Sequence, residues 1–301
     1  MEVIPLHPLF AAEIVGADLT RPPDENLIGA VEDAMARYAV AVIRDADISD
    51  AEHIRFSRAF GPLELPHRPR NLAPGAARRR MAPELFDASN LDDDGEIIPY
   101  QSERRKLAKG AERFHTDSSF HALPTKWSLL LGHVTPPPSV GGDTRFIDAR
   151  AVYDALPEAM KERIAPLSAV HDFWKGRQIA GLKKVTEEDR KALPFPPVEH
   201  PLVRVMPYGR KALYIGGHAS HVVGMPEDEG HRLIEELYDF ATQERFIYRH
   251  HWRPHDLVIW DNRCTLHAAT PLETDAYKRD VRRTTINEYG PEISAVDALA
   301  A

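Results

Sequence analysis

The chain has 301 residues, with 46 acidic against 38 basic side chains and a formal net charge of -8. A chain of this length can bury a substantial core in one large domain or two small ones. The acidic balance argues against general affinity for nucleic acid or for an anionic membrane surface.

A single cysteine, Cys264, rules out an internal disulfide and favours a reducing, cytoplasmic setting. The sequence contains no run near the roughly 20 apolar residues of a membrane span. The first ten residues lack the basic segment and the apolar core of a secretory signal. We therefore expect a soluble protein.

The first sixty residues predict helices packed over a sheet. An amphipathic stretch at 27–37 predicts a helix, and the apolar run at 39–43 predicts a strand. A second helical pattern at 50–60 stops at Gly61-Pro62, because proline cannot continue the hydrogen-bond ladder. Ser49 and Asp50 are alternative N-caps for this helix.

Residues 65–112 form a long segment with little periodicity. It contains several prolines, a basic run at 78–80 and an acidic run at 92–94. Long irregular segments in compact domains are usually lids, binding loops or disordered. Because this segment ends just before His115, we predict an active-site lid over about 65–113, with a disordered surface excursion as the alternative.

Short apolar runs separated by turn residues follow, and they predict strands. They lie at 128–134, 144–147, 202–206, 212–215, 246–250, 257–260 and 283–288. Helical patterns at 151–164 and 227–242 interrupt them, and we expect a helical insertion at about 171–197. The pattern predicts one α+β domain over 1–301 with a mainly β core, in which two facing sheets form a sandwich or barrel.

Two histidines and an aspartate are the candidate metal ligands. In an extended segment His115 and Asp117 project to the same side, and His267 follows far downstream. Two imidazoles and one carboxylate leave three positions of an octahedral ion open, which suits a non-heme Fe(II) centre that holds a co-substrate and oxygen. A metal-free hydrogen-bonded pair is the alternative for His115 and Asp117 alone.

Seven segments of the chain resemble the Fe(II)- and 2-oxoglutarate-dependent oxygenases of the taurine dioxygenase and 2,4-dichlorophenoxyacetate dioxygenase family. They are Leu-His-Pro-Leu-Phe at 6–10, Phe-Gly-Pro-Leu-Glu at 60–64, His-Thr-Asp-Ser-Ser-Phe at 115–120, Gly-Gly-Asp-Thr at 141–144, Tyr-Asp-Ala-Leu-Pro at 153–157, Gly-His-Ala-Ser-His at 217–221 and Trp-Asp-Asn-Arg-Cys at 260–264. The segments at 218–221 and 248–250 are closer to the dichlorophenoxyacetate branch.

The resemblance implies a double-stranded β-helix, a jelly roll of the cupin type, with flanking helices. It also implies roles for seven side chains: His115, Asp117 and His267 as iron ligands; Thr144 and Arg279 at the distal carboxylate of 2-oxoglutarate; Arg283 at the substrate anion; and His67 at the substrate. The spacing of His218 and His221 predicts that they line the pocket mouth, with an ordinary turn as the alternative. Arg282 replaces its neighbour if the strand register is shifted by one residue. Relatives often form dimers or larger assemblies, so we expect a homo-oligomer.

The implied reaction is hydroxylation of a small anionic substrate with Fe(II), 2-oxoglutarate and O2. An aryloxyalkanoate such as 2,4-dichlorophenoxyacetate would be cleaved to a phenol and glyoxylate, with release of succinate and carbon dioxide. A sulfonate or sulfate ester is the alternative substrate. A non-catalytic metal protein or a zinc hydrolase with the same three ligands is the alternative from another class. The segments at 68–113 and 175–197 depart from the family pattern, and these stretches shape substrate choice.

Overall fold

The computed structural model describes residues 1–66, 80–181 and 185–288, and within these ranges the chain is a mixed α/β structure with one large sheet. The helices are α1 (Glu25–Tyr38), α2 (Asp50–Arg58), α3 (Glu103–Ala108), α4 (Ala149–Ala155), α5 (Glu158–Ile164), α6 (Phe173–Ile179), α7 (Glu187–Ala192) and α8 (Glu227–Ala241). The strands are β1 (Glu2–Pro5), β2 (Ala12–Val15), β3 (Val40–Ile43), β4 (Phe86–Asp87), β5 (Thr125–Val134), β6 (Thr144–Asp148), β7 (Ser168–His171), β8 (Val198–Pro201), β9 (Val203–Val205), β10 (Lys211–Leu213), β11 (Ala219–Val222), β12 (Ile247–His250), β13 (Leu257–Asp261), β14 (Thr265–Ala269) and β15 (Asp280–Asn287).

Seven strands form the large sheet, in the order β1-β2-β3-β13-β5-β15-β4. The central pairs, β13 with β5 and β5 with β15, are antiparallel, and β2 with β3 is parallel. All five residues of β13 are buried. Its first four residues, Leu257 to Trp260, are apolar, as expected for a strand that is covered on both faces.

The large sheet is covered on both faces, and β3 shows how. Ala41 and Ile43 pack in a cluster with apolar side chains of α1 and α2. Val40 and Val42 face the other way, into a cluster that contains Phe146 of β6. Because β6 belongs to a three-stranded sheet of order β12-β6-β14, this smaller sheet packs against the large one.

Two smaller groups of strands complete the second layer. They are a three-stranded sheet of order β11-β7-β8 and the pair β9-β10. The largest apolar cluster packs Ile147 of β6 and Leu266 of β14 against α4 and α8. The candidate ligand His267 on β14 therefore lies between the two main bodies of the core.

The prediction of a single helix at 151–164 is wrong, because the structure has two helices there, α4 and α5. Leu156 ends α4 in an extended conformation with ψ of 146°, and Pro157 precedes α5. Proline disfavours a helical conformation in the residue before it and has no N–H for the ladder. Of the two alternative N-caps for α2, Ser49 and Asp50, the structure has Ser49, which forms a capping box with Glu52.

The segment predicted as irregular contains regular structure where the chain is described. Residues 80–112 include β4 and α3, and β4 pairs with β15 at the edge of the large sheet. The expected helical insertion contains α6 and α7, between β7 and β8. Within the described ranges, every helix is too short or too polar to cross a bilayer.

Candidate metal centre

The structure brings the three predicted ligands together between the two layers of the core. His115 and His267 form an isolated bridge, in which each backbone N–H donates to the other residue's carbonyl at 2.9 and 2.8 Å. Asp117 follows in a turn, so the predicted strand at 115–117 is reduced to one bridge. One donor atom from each of the three side chains lies within 4.8 Å of the other two.

The distances suit a single small cation. Nε2 of His267 lies 3.7 Å from Oδ2 of Asp117. Two donors that are each about 2.1 Å from one ion lie about 3.0 to 3.4 Å apart, so a movement of a few tenths of an ångström would let both atoms bind one ion. The His115 and His267 rings are also close, with centroids 4.2 Å apart.

The hydrogen bonds of His115 leave one of its nitrogens available to a metal. Nδ1 of His115 lies 2.9 Å from the carbonyl oxygen of Arg113. A carbonyl can only accept, so this bond places the proton on Nδ1 and leaves the lone pair of Nε2 free. Metal-binding histidines are commonly oriented by such a bond.

The electrostatics favour the metal-binding forms of all three side chains. Burial lowers the pKa of His115 and, more strongly, that of His267, although the Asp117 charge opposes this in both. Burial alone would raise the pKa of Asp117, but the Arg283 charge and both histidines hold that pKa well below its ordinary value. At neutral pH the cluster therefore consists of two neutral imidazoles and a carboxylate.

The arginines at the start of β15 point to opposite faces of the large sheet. Arg283 donates from Nη1 to Oδ1 of Asp117, and its guanidinium lies over the Phe86 ring at 4.7 Å. Arg282 points away and bonds Asp50 at 2.7 Å and Asp280 at 2.8 Å. Of the two alternatives, Arg283 is the one that contacts the cluster.

Trp252 lies between Thr144 and Arg279, and Thr144 pairs with Ala269, two residues after His267 on β14; we call Thr144, Trp252 and Arg279 the wall of the site. The indole N–H of Trp252 donates to Oγ1 of Thr144 at 3.0 Å. The Arg279 guanidinium lies 6.0 Å from the Trp252 ring centroid and donates to the carbonyls of Ala88 at 2.9 Å and Gly142 at 3.3 Å. Burial lowers the pKa of Arg279 to about 10, so it remains a cation at neutral pH.

His218 lies beside the cluster, next to an aromatic group. Its ring centroid is 6.2 Å from that of His115, 4.9 Å from Phe120 and 6.0 Å from Phe173. Burial and the neighbouring His115 lower the pKa of His218 to about 3. The imidazole is therefore neutral, and it can contact a ligand as a polar edge in an apolar wall.

Helix α6 rests directly on the His218 segment. The backbone N–H of Asp172 donates to the carbonyl of His218 at 2.9 Å. A Cβ added at Gly176 would meet the carbonyl oxygen of Gly217 and would lie 2.8 Å from Nδ1 of His218. This close approach of backbone to backbone requires glycine.

The other two predicted substrate residues are not placed against the cluster. His221 lies in β11, accepts or donates at Nδ1 with Ser220 at 2.9 Å, and lies near Glu227 at the start of α8. His67 lies outside the described residues. Their predicted roles stay predictions.

Comparison with known proteins agrees with this geometry. A family profile described as taurine catabolism dioxygenase TauD, TfdA family matches residues 2–285. The chain belongs to this family. It is 41% identical over 284 residues to an alpha-ketoglutarate-dependent 2,4-dichlorophenoxyacetate dioxygenase of Cupriavidus pinatubonensis, covering 93% of this chain and 96% of the relative.

Two further members of the TauD, TfdA family extend the comparison. A (S)-phenoxypropionate/alpha-ketoglutarate-dioxygenase of Sphingobium herbicidovorans is 34% identical over 279 residues, covering 90% of each chain. The crystal structure of AAD-2 in complex with Mn(II) and N-oxalylglycine superposes with a TM-score of 0.85 at 35% identity, covering 97% of this chain and 99% of that one. These similarities place the chain near the dichlorophenoxyacetate branch of the family.

Three residues around the cluster were not predicted from the sequence. They are Trp252 at the Thr144 wall, and Ser128 and Asn262 beside Asp117. Asn262 lies within the Trp-Asp-Asn-Arg-Cys segment that resembles the TauD, TfdA family, so that segment was an available signal. Ser128 and Trp252 have no comparable signal, because their roles depend on contacts between distant segments.

Proposed function

We propose that the chain is an Fe(II)- and 2-oxoglutarate-dependent dioxygenase that hydroxylates a small anionic substrate, an aryloxyalkanoate such as 2,4-dichlorophenoxyacetate. The observation that carries this proposal is the convergence of His115, Asp117 and His267 beside a wall that contains Arg279 and Thr144. The names of the two relatives above and the Mn(II)-containing structure of AAD-2 support it.

His115, Asp117 and His267 would hold the Fe(II). Two neutral imidazoles and one carboxylate are the donor set of non-heme Fe(II) oxygenases with open coordination positions. With 2-oxoglutarate and O2, bound Fe(II) supplies the oxidising chemistry that converts the co-substrate to succinate and carbon dioxide and delivers one oxygen atom to the substrate. The protein groups bind and orient the reactants.

Arg279 and Thr144 would bind the distal carboxylate of 2-oxoglutarate. A guanidinium can meet a carboxylate with two parallel hydrogen bonds. The Thr144 hydroxyl accepts a hydrogen bond from Trp252, so its own proton is available to the distal carboxylate. This wall separates the proposal from a zinc hydrolase, which has no need of a diacid anchor.

Arg283 would bind the anionic group of the substrate, with His218 and His221 lining the pocket mouth and His67 on the lid side. The aromatic rings of Phe120 and Phe173 next to His218 support an aryl substrate. Hydroxylation of the carbon between the ether oxygen and the carboxylate of an aryloxyacetate gives a hemiacetal, which collapses to a phenol and glyoxylate.

We also propose the finer features of the fold. The facing of the β12-β6-β14 sheet and the large sheet supports a double-stranded β-helix. A single domain over 1–301 is supported by the large sheet, which joins β1 to β15. The lid at about 65–113 is supported by Ala88 and Phe86, which contact Arg279 and Arg283. A homo-oligomer and a cytoplasmic setting remain predictions from the sequence.

The test is substrate-dependent turnover of the Fe(II)-loaded protein. We expect succinate formation coupled to release of a phenol and glyoxylate with aryloxyalkanoates, and none with Asp117→Ala. Arg283 does not by itself distinguish a carboxylate from a sulfonate, so the panel should include sulfonates and sulfate esters, with sulfite or sulfate as the measured product. Turnover of these alone would move the substrate class to the alternative. Hydrolysis without succinate would contradict the reaction class.

A further inference from the structure

We infer that Asn262 and Ser128 are positioning residues for Asp117, and that this pair sets the affinity of the centre for a divalent metal. The inference rests on the metal-binding role proposed for the cluster of His115, Asp117 and His267. It concerns side chains that do not themselves face the cation, and it follows from a chain of hydrogen bonds that leads to one oxygen of Asp117.

Both the oxygen and the nitrogen of the Asn262 side-chain amide take part in this series of hydrogen bonds. The residue follows directly after β13 and is 1% exposed. Its Oδ1 accepts from the backbone N–H of Asp117 at 3.1 Å and from the indole of Trp260 at 2.9 Å. Its Nδ2 donates to Oγ of Ser128 at 2.9 Å. Asn262 is thereby fixed in orientation by both its donor and its acceptor contacts.

Ser128 passes this orientation to the carboxylate. It lies in β5, is fully buried, and donates from Oγ to Oδ2 of Asp117 at 2.7 Å. A serine hydroxyl has one proton. Because Nδ2 of Asn262 occupies an acceptor position of the hydroxyl, that proton is directed to Asp117. The bonded oxygen is the one that lies 3.7 Å from Nε2 of His267.

The 115–117 segment needs this support because it is not held in a regular sheet. After the single bridge of His115 the chain enters a turn, so Asp117 has no strand partner for its backbone N–H. Oδ1 of Asn262 takes the place of that partner, since a buried N–H needs an acceptor. The carbonyl of Asn262 also accepts from Oγ1 of Thr116 at 2.6 Å. One residue thus fixes two successive positions of the ligand segment.

The two oxygens of Asp117 therefore have different partners. Ser128 donates to Oδ2, and Arg283 donates to Oδ1. A carboxylate held in this way has little freedom to rotate, so less ordering is needed when a metal binds. Changes to the residues that orient metal ligands typically cost about 10- to 100-fold in metal affinity.

The experiment measures Mn(II) binding to the metal-stripped full-length protein from the electron paramagnetic resonance signal of the free ion. Ser128→Ala removes only the hydroxyl, and Asn262→Ala removes both the support of the hydroxyl and the acceptor for Asp117. We expect about a 10-fold loss of affinity for the first and up to about 100-fold for the second. The double variant should bind scarcely more weakly than Asn262→Ala, because both changes break the same chain of bonds.

Asn287→Ala is the matched control. Asn287 is another buried asparagine, 4% exposed, and its Nδ2 has no hydrogen-bond partner in the part of the chain that the structure describes. The Asn287→Ala variant should bind Mn(II) with the same affinity as the wild type. Should Asn262→Ala fail to fold, Ser128→Ala decides the question alone.

The outcomes separate this inference from the proposed function. A wild-type protein that does not bind Mn(II) would overturn the metal role of the cluster. Wild-type binding with unchanged affinity in Ser128→Ala and Asn262→Ala, even with lowered thermal stability, would overturn the positioning role alone. Fully additive losses in the double variant would contradict the hydrogen-bond chain.

Discussion

Replacement of Trp252 by phenylalanine should weaken the binding of 2-oxoglutarate specifically. The change removes the N–H that donates to Oγ1 of Thr144 at 3.0 Å and keeps an aromatic ring near Arg279. Without the indole donor, the Thr144 hydroxyl is no longer held with its proton directed away from Trp252. A neutral hydrogen bond contributes about 0.5–1.5 kcal/mol, so we expect the KM for 2-oxoglutarate to rise about 2- to 10-fold.

The assay is the initial rate of succinate formation at varied 2-oxoglutarate, with kcat at saturation expected to change little. Thr144→Val provides the second arm, because it removes the hydroxyl that Trp252 orients. In that background Trp252→Phe should leave the KM almost unchanged. An equal rise of KM in both backgrounds would show that the indole acts through packing and not through Thr144, and it would refute the reasoning.

Three other predictions follow from the same contacts. Arg283→Ala should raise the KM for the anionic substrate about 10- to 100-fold through loss of a charged hydrogen bond to the substrate, with partial recovery in Arg283→Lys. Because Arg283 also donates to Oδ1 of Asp117, the KM should be measured with the metal at saturation. An unchanged KM in these initial-rate kinetics would move the anion site elsewhere. Gly176→Ala should lower the melting temperature and raise the substrate KM. The added methyl group would clash with the segment around His218 at a cost of about 1–3 kcal/mol, which exceeds the gain of about 1 kcal/mol from the higher helix propensity of alanine. A variant more stable than the wild type would contradict this. Burial lowers the pKa of His53 to about 4, against about 6.5 in an unfolded chain. Between these pH values the unfolded state binds a proton that the folded state does not. The free energy of unfolding should therefore fall as the pH drops from 6.5 to 4, by up to about 3 kcal/mol. Urea unfolding at several pH values should show a smaller fall for His53→Gln, and equal falls would exclude His53 as the source.

Much of the secondary structure could be predicted from local patterns. The helix at 227–242 and the strand at 257–260 are confirmed by α8 and β13, because both segments have strong apolar patterns and clear boundaries. Strands β1, β2, β4, β7, β8, β11 and β14 were not predicted. The first six have two to four residues with mixed or partial burial, so their conformation is determined mainly by the strands that pair with them. Strand β14 is paired along its whole length with β6.

The candidate site could be predicted only in part, for a similar reason. The spacing of His115 and Asp117 is a local signal, and so is the cluster of arginines. Local sequence does not show which arginine faces the site, since a shift of one residue exchanges the faces of a strand. The pairing of Arg283 with Leu130 and Phe86 fixes that register, and it requires segments that are distant in sequence.

The bridge between His115 and His267 has a consequence for how the enzyme matures. The two backbone hydrogen bonds that bring these imidazoles together join two segments that lie far apart in the sequence. A chain still being synthesised cannot complete the three-donor cluster until β14 has left the ribosome and paired with β6. The three-donor site therefore cannot form before the segment around His267 has been synthesised and has reached its partner strand.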